Sequence, residues 1–237
     1  MNYVPRWQQK ALMAGLLFFG WIQAGSSIVH NLVDCAPLLT KEPFNLGMVK
    51  DQIKVYRDSG FWQEALECVA QQAISELVKI KTGLKNKKLA IVFDIDETLL
   101  SNWDFIVRTD FGYNRNYFKR WERSSQAYPI EPVKKIFDKA RALGIAIFCI
   151  TSRREDQREA TENNLIQAGF IGFTAVYYKP MDYTGTSAVK FKSGWRQYIV
   201  DQGYTIVMSV GDQISDLRGI PQALINVKLP NPMYFIP

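Results

Sequence analysis

Short apolar runs alternate with helix-patterned segments along most of this 237-residue chain, and this alternation constrains the fold more than any other feature. Five runs have the length and apolar content of buried strands: "LAIVF" at 89–93, "IAIFCIT" at 145–151, "FTAVYY" at 173–178, "YTIVMSV" at 204–210 and "ALINV" at 223–227. Because nearly every position of each run is apolar, we expect both faces of the sheet to be buried. Strands of this kind separated by helices predict an α/β fold, with a parallel sheet covered by helices on both faces.

The segments between and before the strands carry apolar residues at intervals of three and four, which is typical of helices. We predict helices at 45–59, 61–82, 132–143, 155–168 and 193–202. The first two precede the sheet and are expected to form a helical hairpin packed on the core. The chain is long enough for one such domain with a small insertion.

Polar side chains follow three of the predicted strands. Asp94, Asp96 and Thr98 come after the first strand, Thr151 and Ser152 end the second, and Asp212 and Asp216 follow the fourth. Ligands of open parallel sheets bind at the carboxyl ends of the strands. A single Asp or Thr at a strand end is more often a helix cap, but the convergence of all of them predicts a functional site.

The spacing of the acids favours a hard metal ion. Asp94 and Asp96 are two residues apart, so in an extended chain their side chains point the same way. Together with Asp212 they form an all-oxygen set without His or Cys nearby, which suits Mg²⁺ better than Zn²⁺. One carboxylate of such a site can act as a nucleophile while another is kept protonated for a leaving group.

The sequence lacks the residue patterns that other nucleophiles would require. The only histidine, His30, lies far from these motifs. No cysteine is followed six positions later by arginine, and no phosphate-binding loop of the G-x-x-x-x-G-K-[ST] type is present. An aspartate is therefore the remaining nucleophile.

Four motifs in order resemble those of the haloacid dehalogenase superfamily: "DIDET", "ITSR", "VKFKSGWRQ" and "GDQISD". Within that superfamily the chain resembles the acid phosphatases that are grouped with plant vegetative storage proteins and bacterial class C acid phosphatases. The resemblance covers about residues 45–237. It implies a haloacid-dehalogenase-like Rossmann-type fold with a small cap insertion at 101–130.

The resemblance also implies a role for each acid. Asp94 would attack phosphorus and form an aspartyl-phosphate. Asp96 would protonate the leaving oxygen and then activate water, and its backbone carbonyl would bind Mg²⁺. Asp212 would bind the same Mg²⁺, with Asp216 supporting it from behind.

The phosphate is implied to contact the second and third motifs. Thr151 and Ser152 would bind phosphoryl oxygens, and Lys192 would neutralise the nucleophile and the phosphate. Lys190 and Lys179 remain alternatives for that lysine, because they lie nearby in the sequence.

The predicted cap insertion is rich in aromatic residues and is expected to be irregular. We interpret these aromatics mainly as packing between the cap and the core, with stacking on a nucleobase or an aryl group as the alternative. Arg108, Arg115 and Lys119 in the same segment are candidates for binding additional phosphates.

The N-terminal residues 1–24 have the pattern of a signal peptide. Arg6 and Lys10 precede an uncharged apolar run that ends in small residues near Ala24. We therefore expect residues 25–237 to be exported, to the periplasm or the medium. The alternatives are an uncleaved membrane anchor, which would bring membrane contact, and a lipoprotein modified at Cys35.

The chain contains two further cysteines and carries a net charge of +6. Cys149 lies in an apolar run and is predicted to be a buried thiol. For Cys35 and Cys68, a disulfide between them and two free thiols are equally expected. No nucleic-acid recognition motif accompanies the positive charge, so nucleic acid is not an expected partner.

These features predict an exported, Mg²⁺-dependent acid phosphatase acting on small phosphate monoesters, nucleotides among them. A storage-type protein of weak activity and a phosphate-ester-binding protein of the same fold are the alternatives. The sequence does not predict the physiological substrate, the pH optimum or the oligomeric state.

Overall fold

The computed structural model describes residues 43–84 and 87–236. Residues Lys50–Pro237 form one compact unit, and the described residues before Lys50 belong to a second unit. The predicted signal segment and Cys35 lie outside the described residues, so cleavage, anchoring and the Cys35–Cys68 pairing stay predictions. In the described part of the chain, every helix is too short or too polar to span a bilayer.

Seven strands and eight helices make up the described chain. The strands are β1 Lys88–Phe93, β2 Leu100–Ser101, β3 Tyr128–Pro129, β4 Ala146–Arg154, β5 Ala175–Lys179, β6 Tyr204–Gly211 and β7 Ile225–Lys228. The helices are α1 Leu46–Asp58, α2 Phe61–Gly83, α3 Trp103–Arg108, α4 Arg115–Arg123, α5 Glu131–Ala142, α6 Arg158–Gln167, α7 Ala188–Asp201 and α8 Ile214–Leu217.

Five parallel strands form the central sheet in the order β5-β4-β1-β6-β7. Phe93, the last residue of β1, pairs with Cys149 of β4 and Val210 of β6. This register brings the residues that follow β1 and β6 to the same edge, and the N–H of Asp94 donates to the carbonyl of Val210 at 3.0 Å.

The two faces of the sheet are buried by different helices, which explains the continuous apolar runs. Leu89, Ile91 and Phe93 of β1 pack in the core that contains α2 and α5. The alternate residues Ala90 and Val92 pack on the other face, with α7. The predicted α/β fold with helices on both faces is therefore confirmed, and Cys149 is a free, fully buried cysteine as predicted.

The predicted helix at 193–202 begins too late. Helix α7 starts at Ala188, and the Ser187 side chain caps it by accepting a hydrogen bond from the Lys190 N–H at 3.2 Å. Ser187 and Ser193 are equally good capping residues by type, and burial of Phe191 decides between them because it joins the first turn to the core. Lys192 therefore lies inside the helix rather than at its entrance.

An irregular segment was predicted at residues 101–130, but that prediction is wrong. These residues hold α3 and α4, and β2 and β3 form a two-stranded antiparallel ribbon at their ends. The side chain of Asn114 caps α4 by accepting from the N–H groups of Asn116 and Tyr117 at 3.0 and 3.1 Å. Both helices are at most nine residues long, too short for the apolar spacing to reveal them.

Strand β4 also continues further than predicted. It runs to Arg154, which pairs with Lys179 at the end of β5. Thr151 and Ser152 consequently lie within the strand and not at its end. The following segment starts as a 3₁₀ turn at Glu155–Gln157 before α6 begins.

Candidate active site

The carboxyl end of β1 places Asp94 in a buried pocket beside a lysine. The Nζ of Lys192 lies 2.6 Å from Oδ1 of Asp94 and 2.5 Å from Oδ1 of Asp216. All three side chains are buried, since none is more than 7% exposed. Of the three lysines considered from the sequence, Lys192 is the one whose ammonium contacts Asp94.

Three acids converge here: carboxylate oxygens of Asp94, Asp212 and Asp216 lie within 4.8 Å of one another. We call these three acids with Lys192 the acidic cluster. The hydroxyl of Thr98 lies 3.3 Å from Oδ2 of Asp94 and 3.2 Å from Oδ1 of Asp212, and so joins the ends of β1 and β6.

Glycine at position 211 allows the side chain of Asp216 to lie close to the end of β6. A Cβ at Gly211 would overlap the carboxyl group of Asp216. Asp216 is fixed in turn because its Oδ2 accepts the Gln213 N–H at 2.9 Å, at the start of α8.

Two amides hold Asp212 in position. The Nδ2 of Asn231 and the Nε2 of Gln213 each donate to Oδ2 of Asp212 at 2.6 Å. Gln213 also accepts from the Ile236 N–H at 2.9 Å, so the C-terminal segment is tied to the acidic cluster. Asn231, near the C-terminal end of the sequence, was not among the predicted site residues.

If all three acids of the acidic cluster were ionised, their negative charge would exceed what its single lysine compensates. Burial raises the pKa of Asp94 well above its usual range, and the charges of Asp216 and Asp212 add to the effect of burial. Burial and Asp216 raise the pKa of Asp212 to about 6, although the two amides act in the opposite direction. Buried carboxylate oxygens under mutual repulsion are a fitting environment for a hard divalent cation.

Asp96 lies in a separate network. Its carboxylate accepts from Nη2 of Arg153 at 2.7 Å, from Nε of Arg153 at 3.1 Å and from Nδ2 of Asn102 at 2.8 Å. Burial raises its pKa, but the charge and hydrogen bonds of Arg153 outweigh burial and leave the pKa below the usual value. The side chain of Asp96 is therefore not among the three that converge, and its predicted roles stay predictions.

A cavity of about 580 Å³ opens beside Asp96. Aromatic residues of the segment between β2 and β3 form one wall, and Met233–Ile236 form another. Ser152 is exposed to this cavity, whereas Thr151 is buried and accepts the Arg153 N–H at 3.1 Å. Arg115 and Lys119 line the cavity, but Arg108 does not.

Comparison with known proteins places the chain in a family. The sequence matches the family described as HAD superfamily, subfamily IIIB (Acid phosphatase), over residues 40–237. The chain belongs to this family. It is an acid phosphatase, a hydrolase of phosphate monoesters, and the predicted resemblance is confirmed.

Plant proteins are among the relatives of this acid phosphatase. Acid phosphatase 1 of Solanum lycopersicum is 31% identical over 189 residues, which cover 78% of this chain and 74% of that protein. Stem 28 kDa glycoprotein of Glycine max is 34% identical over 154 residues, or 63% of this chain and 61% of that protein. Among solved structures, the class C acid phosphatase from Bacillus anthracis has the same fold, with a TM-score of 0.65 and 22% identity over 79% of this chain and 86% of that one.

The partner of Asp96 was not predicted from the sequence. Arg153 is buried, and besides Asp96 it lies 3.5 Å from Oε1 of Glu122. Gln157 donates to the other oxygen of Glu122. Burial and the charge of Asp96 raise the pKa of Glu122 to about 7. Arg153 is the last residue of the "ITSR" motif. Its position directly after Thr151 and Ser152 was the sequence feature that could have indicated a role in the site.

Arg196 was also missed, and it supports the acidic cluster from α7. It lies four residues after Lys192, on the same side of the helix. Its guanidinium donates to the carbonyl oxygens of Asp216 and Pro221, each at 2.8 Å, and thereby fixes the chain that follows Asp216. Spacing of i and i+4 along a helix was the signal for this residue.

Glu97 has no part in the acidic cluster. Its Oε1 accepts the Asn102 N–H at 2.5 Å, and its backbone has a positive φ of 55°. Burial raises its pKa to about 8. Glu97 thus supports the turn between β1 and β2, which gives this acid a structural role.

Proposed function

We propose that this acid phosphatase is Mg²⁺-dependent and acts through an aspartyl-phosphate formed on Asp94. The observation that carries the proposal is the position of Asp94. It lies at the end of a central strand, its carboxylate touches Lys192 and Thr98, and two further carboxylates lie within 4.8 Å. A buried carboxylate with fixed partners is positioned to react rather than to be solvated.

The residues present fit a divalent metal ion. Asp94 and Asp212, with the backbone carbonyl of Asp96, would hold it, and Asp216 would support it from behind. These are oxygen ligands only, which favours Mg²⁺ over softer metals. When bound, the ion supplies positive charge to the phosphate oxygens.

In the first step, a carboxylate oxygen of Asp94 attacks phosphorus and the bond from phosphorus to the leaving oxygen breaks. Asp96 gives its proton to that leaving oxygen, so the product departs as an alcohol. Lys192, Thr151 and Ser152 stabilise charge on the phosphoryl group, since phosphoryl transfer depends mainly on positioning and electrostatics.

In the second step, Asp96 accepts a proton from water while that water attacks phosphorus. The bond from phosphorus to Asp94 breaks, which releases inorganic phosphate and restores both acids. Because Arg153 keeps the pKa of Asp96 low, the ionised form needed here is favoured. The protonated form needed in the first step is populated in acidic solution.

We further propose that the leaving group is aromatic, as in aryl phosphates or nucleotides. The cavity beside Asp96 is lined by Phe105, Phe111, Tyr113 and Phe118, and Phe235 joins them from the C-terminal segment. Planar groups bind well between aromatic side chains. The residue types therefore support an aromatic substrate class but do not single out one compound.

Hydrolysis of p-nitrophenyl phosphate over a range of acidic and neutral pH tests the catalytic proposal. Turnover is expected with Mg²⁺ and lost with a chelator. Asp94→Asn should abolish turnover, whereas Asp104→Asn in α3 is the matched control and should retain it. Near-wild-type rates in Asp94→Asn, or full activity in chelator, would contradict the proposal.

We also propose export after cleavage near Ala24, on the strength of the basic start and apolar run in residues 1–24. Cell fractionation with mass spectrometry of the intact protein is the test. A processed chain outside the cytosol is expected, and an unprocessed chain confined to the cytosol would contradict it.

A further inference from the structure

Three cationic side chains from three different elements meet at the cavity beside Asp96. Arg115 begins α4, Arg154 ends β4 and Lys179 ends β5, and all three line the cavity. Arg154 and Lys179 are register partners across the sheet. Burial lowers the pKa of Lys179, and the charges of Arg154 and Arg115 lower it further, so each arginine lies close enough to repel the Lys179 ammonium.

Among the described residues, none of these three cations is in a salt bridge, and the two acids that line the same cavity, Asp96 and Glu122, lie against Arg153 instead. Within residues 43–84 and 87–236, no carboxylate oxygen lies within 4.0 Å of a charged nitrogen of Arg115, Arg154 or Lys179. Lys119 lines the same cavity and differs, because its Nζ lies 2.5 Å from Oδ2 of Asp156. Repelling charges kept together in a concave site indicate a place for a negative group.

Arg154 is held in place by the backbone. Its Nη1 donates to the carbonyl oxygens of Pro180 and Met181 at 3.1 and 2.8 Å. The guanidinium has further N–H donors, which are suited to a planar anion such as a carboxylate or to a phosphate. Because the guanidinium is already oriented, binding an anion costs little additional conformational entropy at this residue.

The position of these cations relates them to the reaction. Arg153, the preceding residue, binds Asp96, which the mechanism places at the leaving oxygen. The cations thus border the space that the leaving group would occupy, next to the aromatic side chains.

We propose that Arg115, Arg154 and Lys179 form an anion subsite, which binds a second negative group carried by the leaving group of the substrate. This inference rests on the proposed function, because that function places the scissile phosphate beside Asp94 and Asp96. The substrate class is then an aromatic phosphate monoester with a further carboxylate or phosphate. Lys119 is not part of the subsite, since Asp156 holds it.

Calorimetric binding with Mg²⁺ present tests the subsite without requiring turnover. The probes are phenylphosphonate and 4-carboxyphenylphosphonate, which differ by one carboxylate and are not hydrolysed. We expect the full-length protein to bind the carboxylated probe about tenfold more tightly at low salt, and the ratio of the two Kd values to shrink as salt is added. The double variant Arg115→Gln with Lys179→Gln should bring that ratio close to one.

Arg120→Gln is the matched control, because Arg120 is an exposed cation of α4 that lies over the Tyr117 ring and does not line the cavity. It should keep the wild-type ratio. Equal affinity of the wild type for both probes, or a ratio unchanged in the double variant, would overturn the subsite.

Turnover of phenyl phosphate and 4-carboxyphenyl phosphate separates the two proposals. Discrimination between the phosphonates without hydrolysis of either ester would overturn the proposed function and leave the subsite standing. Hydrolysis of both esters at equal kcat/KM, with equal phosphonate binding, would overturn the subsite alone.

Discussion

The acidic cluster and the cavity next to it are built in opposite ways. Asp94, Asp212, Asp216 and Lys192 are buried, and each is fixed by at least one charged or amide partner. The cavity wall, meaning its lining residues from α3 to α4 together with Met233–Ile236, includes several aromatic side chains that remain at least partly exposed, namely Phe111, Tyr113, Phe118, Tyr234 and Phe235. Under the proposed mechanism, the buried cluster supplies the nucleophile and the partly exposed wall contacts the leaving group.

The largest expected effect comes from removing the cation of the cluster. Lys192→Met should lower kcat about a thousandfold, because the charge next to Asp94 and the phosphate is lost. Steady-state kinetics with p-nitrophenyl phosphate measures this.

Lys190→Met is the control, since Lys190 is exposed on the same helix. Thermal melting of both variants separates lost chemistry from lost folding, because Lys192→Met leaves two buried acids without their partner. A folded Lys192→Met variant with a rate near that of wild type would remove Lys192 from the mechanism.

A smaller effect is expected at the junction of cluster and wall, where Arg153 binds Asp96. Arg153 holds the pKa of Asp96 down, and the proton-donating form is lost as pH rises through that pKa. Arg153→Met should therefore raise the pKa and move the alkaline limb of the pH–rate profile to higher pH, with a loss of about tenfold at the optimum.

The profile of kcat against pH for an unactivated aryl phosphate is the measurement. Arg158→Met is the control, since the exposed Arg158 pairs with Glu155 and Glu162 instead. A limb that stays in place or moves to lower pH would show that Arg153 does not control Asp96.

A substitution in the cavity wall should give the smallest effect, and that effect should be confined to substrate binding. Phe118 packs against Phe105 with ring centroids 5.2 Å apart and lines the cavity. Phe118→Ala should raise KM for an aryl phosphate about fivefold, with kcat within about twofold of wild type. Tyr117→Ala, an exposed aromatic of the same helix outside the cavity, should change neither. A fall in kcat with unchanged KM would place Phe118 in the chemistry instead.

The same contrast explains what the sequence could predict. Residues at the ends of central strands are set by the strand register, so the convergence of Asp94 and Asp212 followed from the apolar runs alone. The separation of Asp96 into an ion pair with Arg153 did not follow, because spacing along the chain does not reveal which partner a carboxylate finds.

The wall was harder to predict than the sheet. Its helices are short, and the C-terminal residues reach the site through tertiary contacts such as Asn231 with Asp212. The start of α7 was missed for a related reason, because capping preference did not distinguish Ser187 from Ser193. Tertiary contacts, rather than local propensity, decide these features.

Trapping of the covalent intermediate tests the central claim, that Asp94 is the nucleophile, most directly. The Asp96→Asn variant is mixed with Mg²⁺ and p-nitrophenyl phosphate, quenched in acid, digested and analysed by mass spectrometry. We predict a phosphate adduct on the peptide that contains Asp94, because the amide that replaces the Asp96 carboxylate cannot activate water for the second step. An adduct on another residue, or turnover of Asp96→Asn and wild type with no adduct at any quench time, would contradict this account.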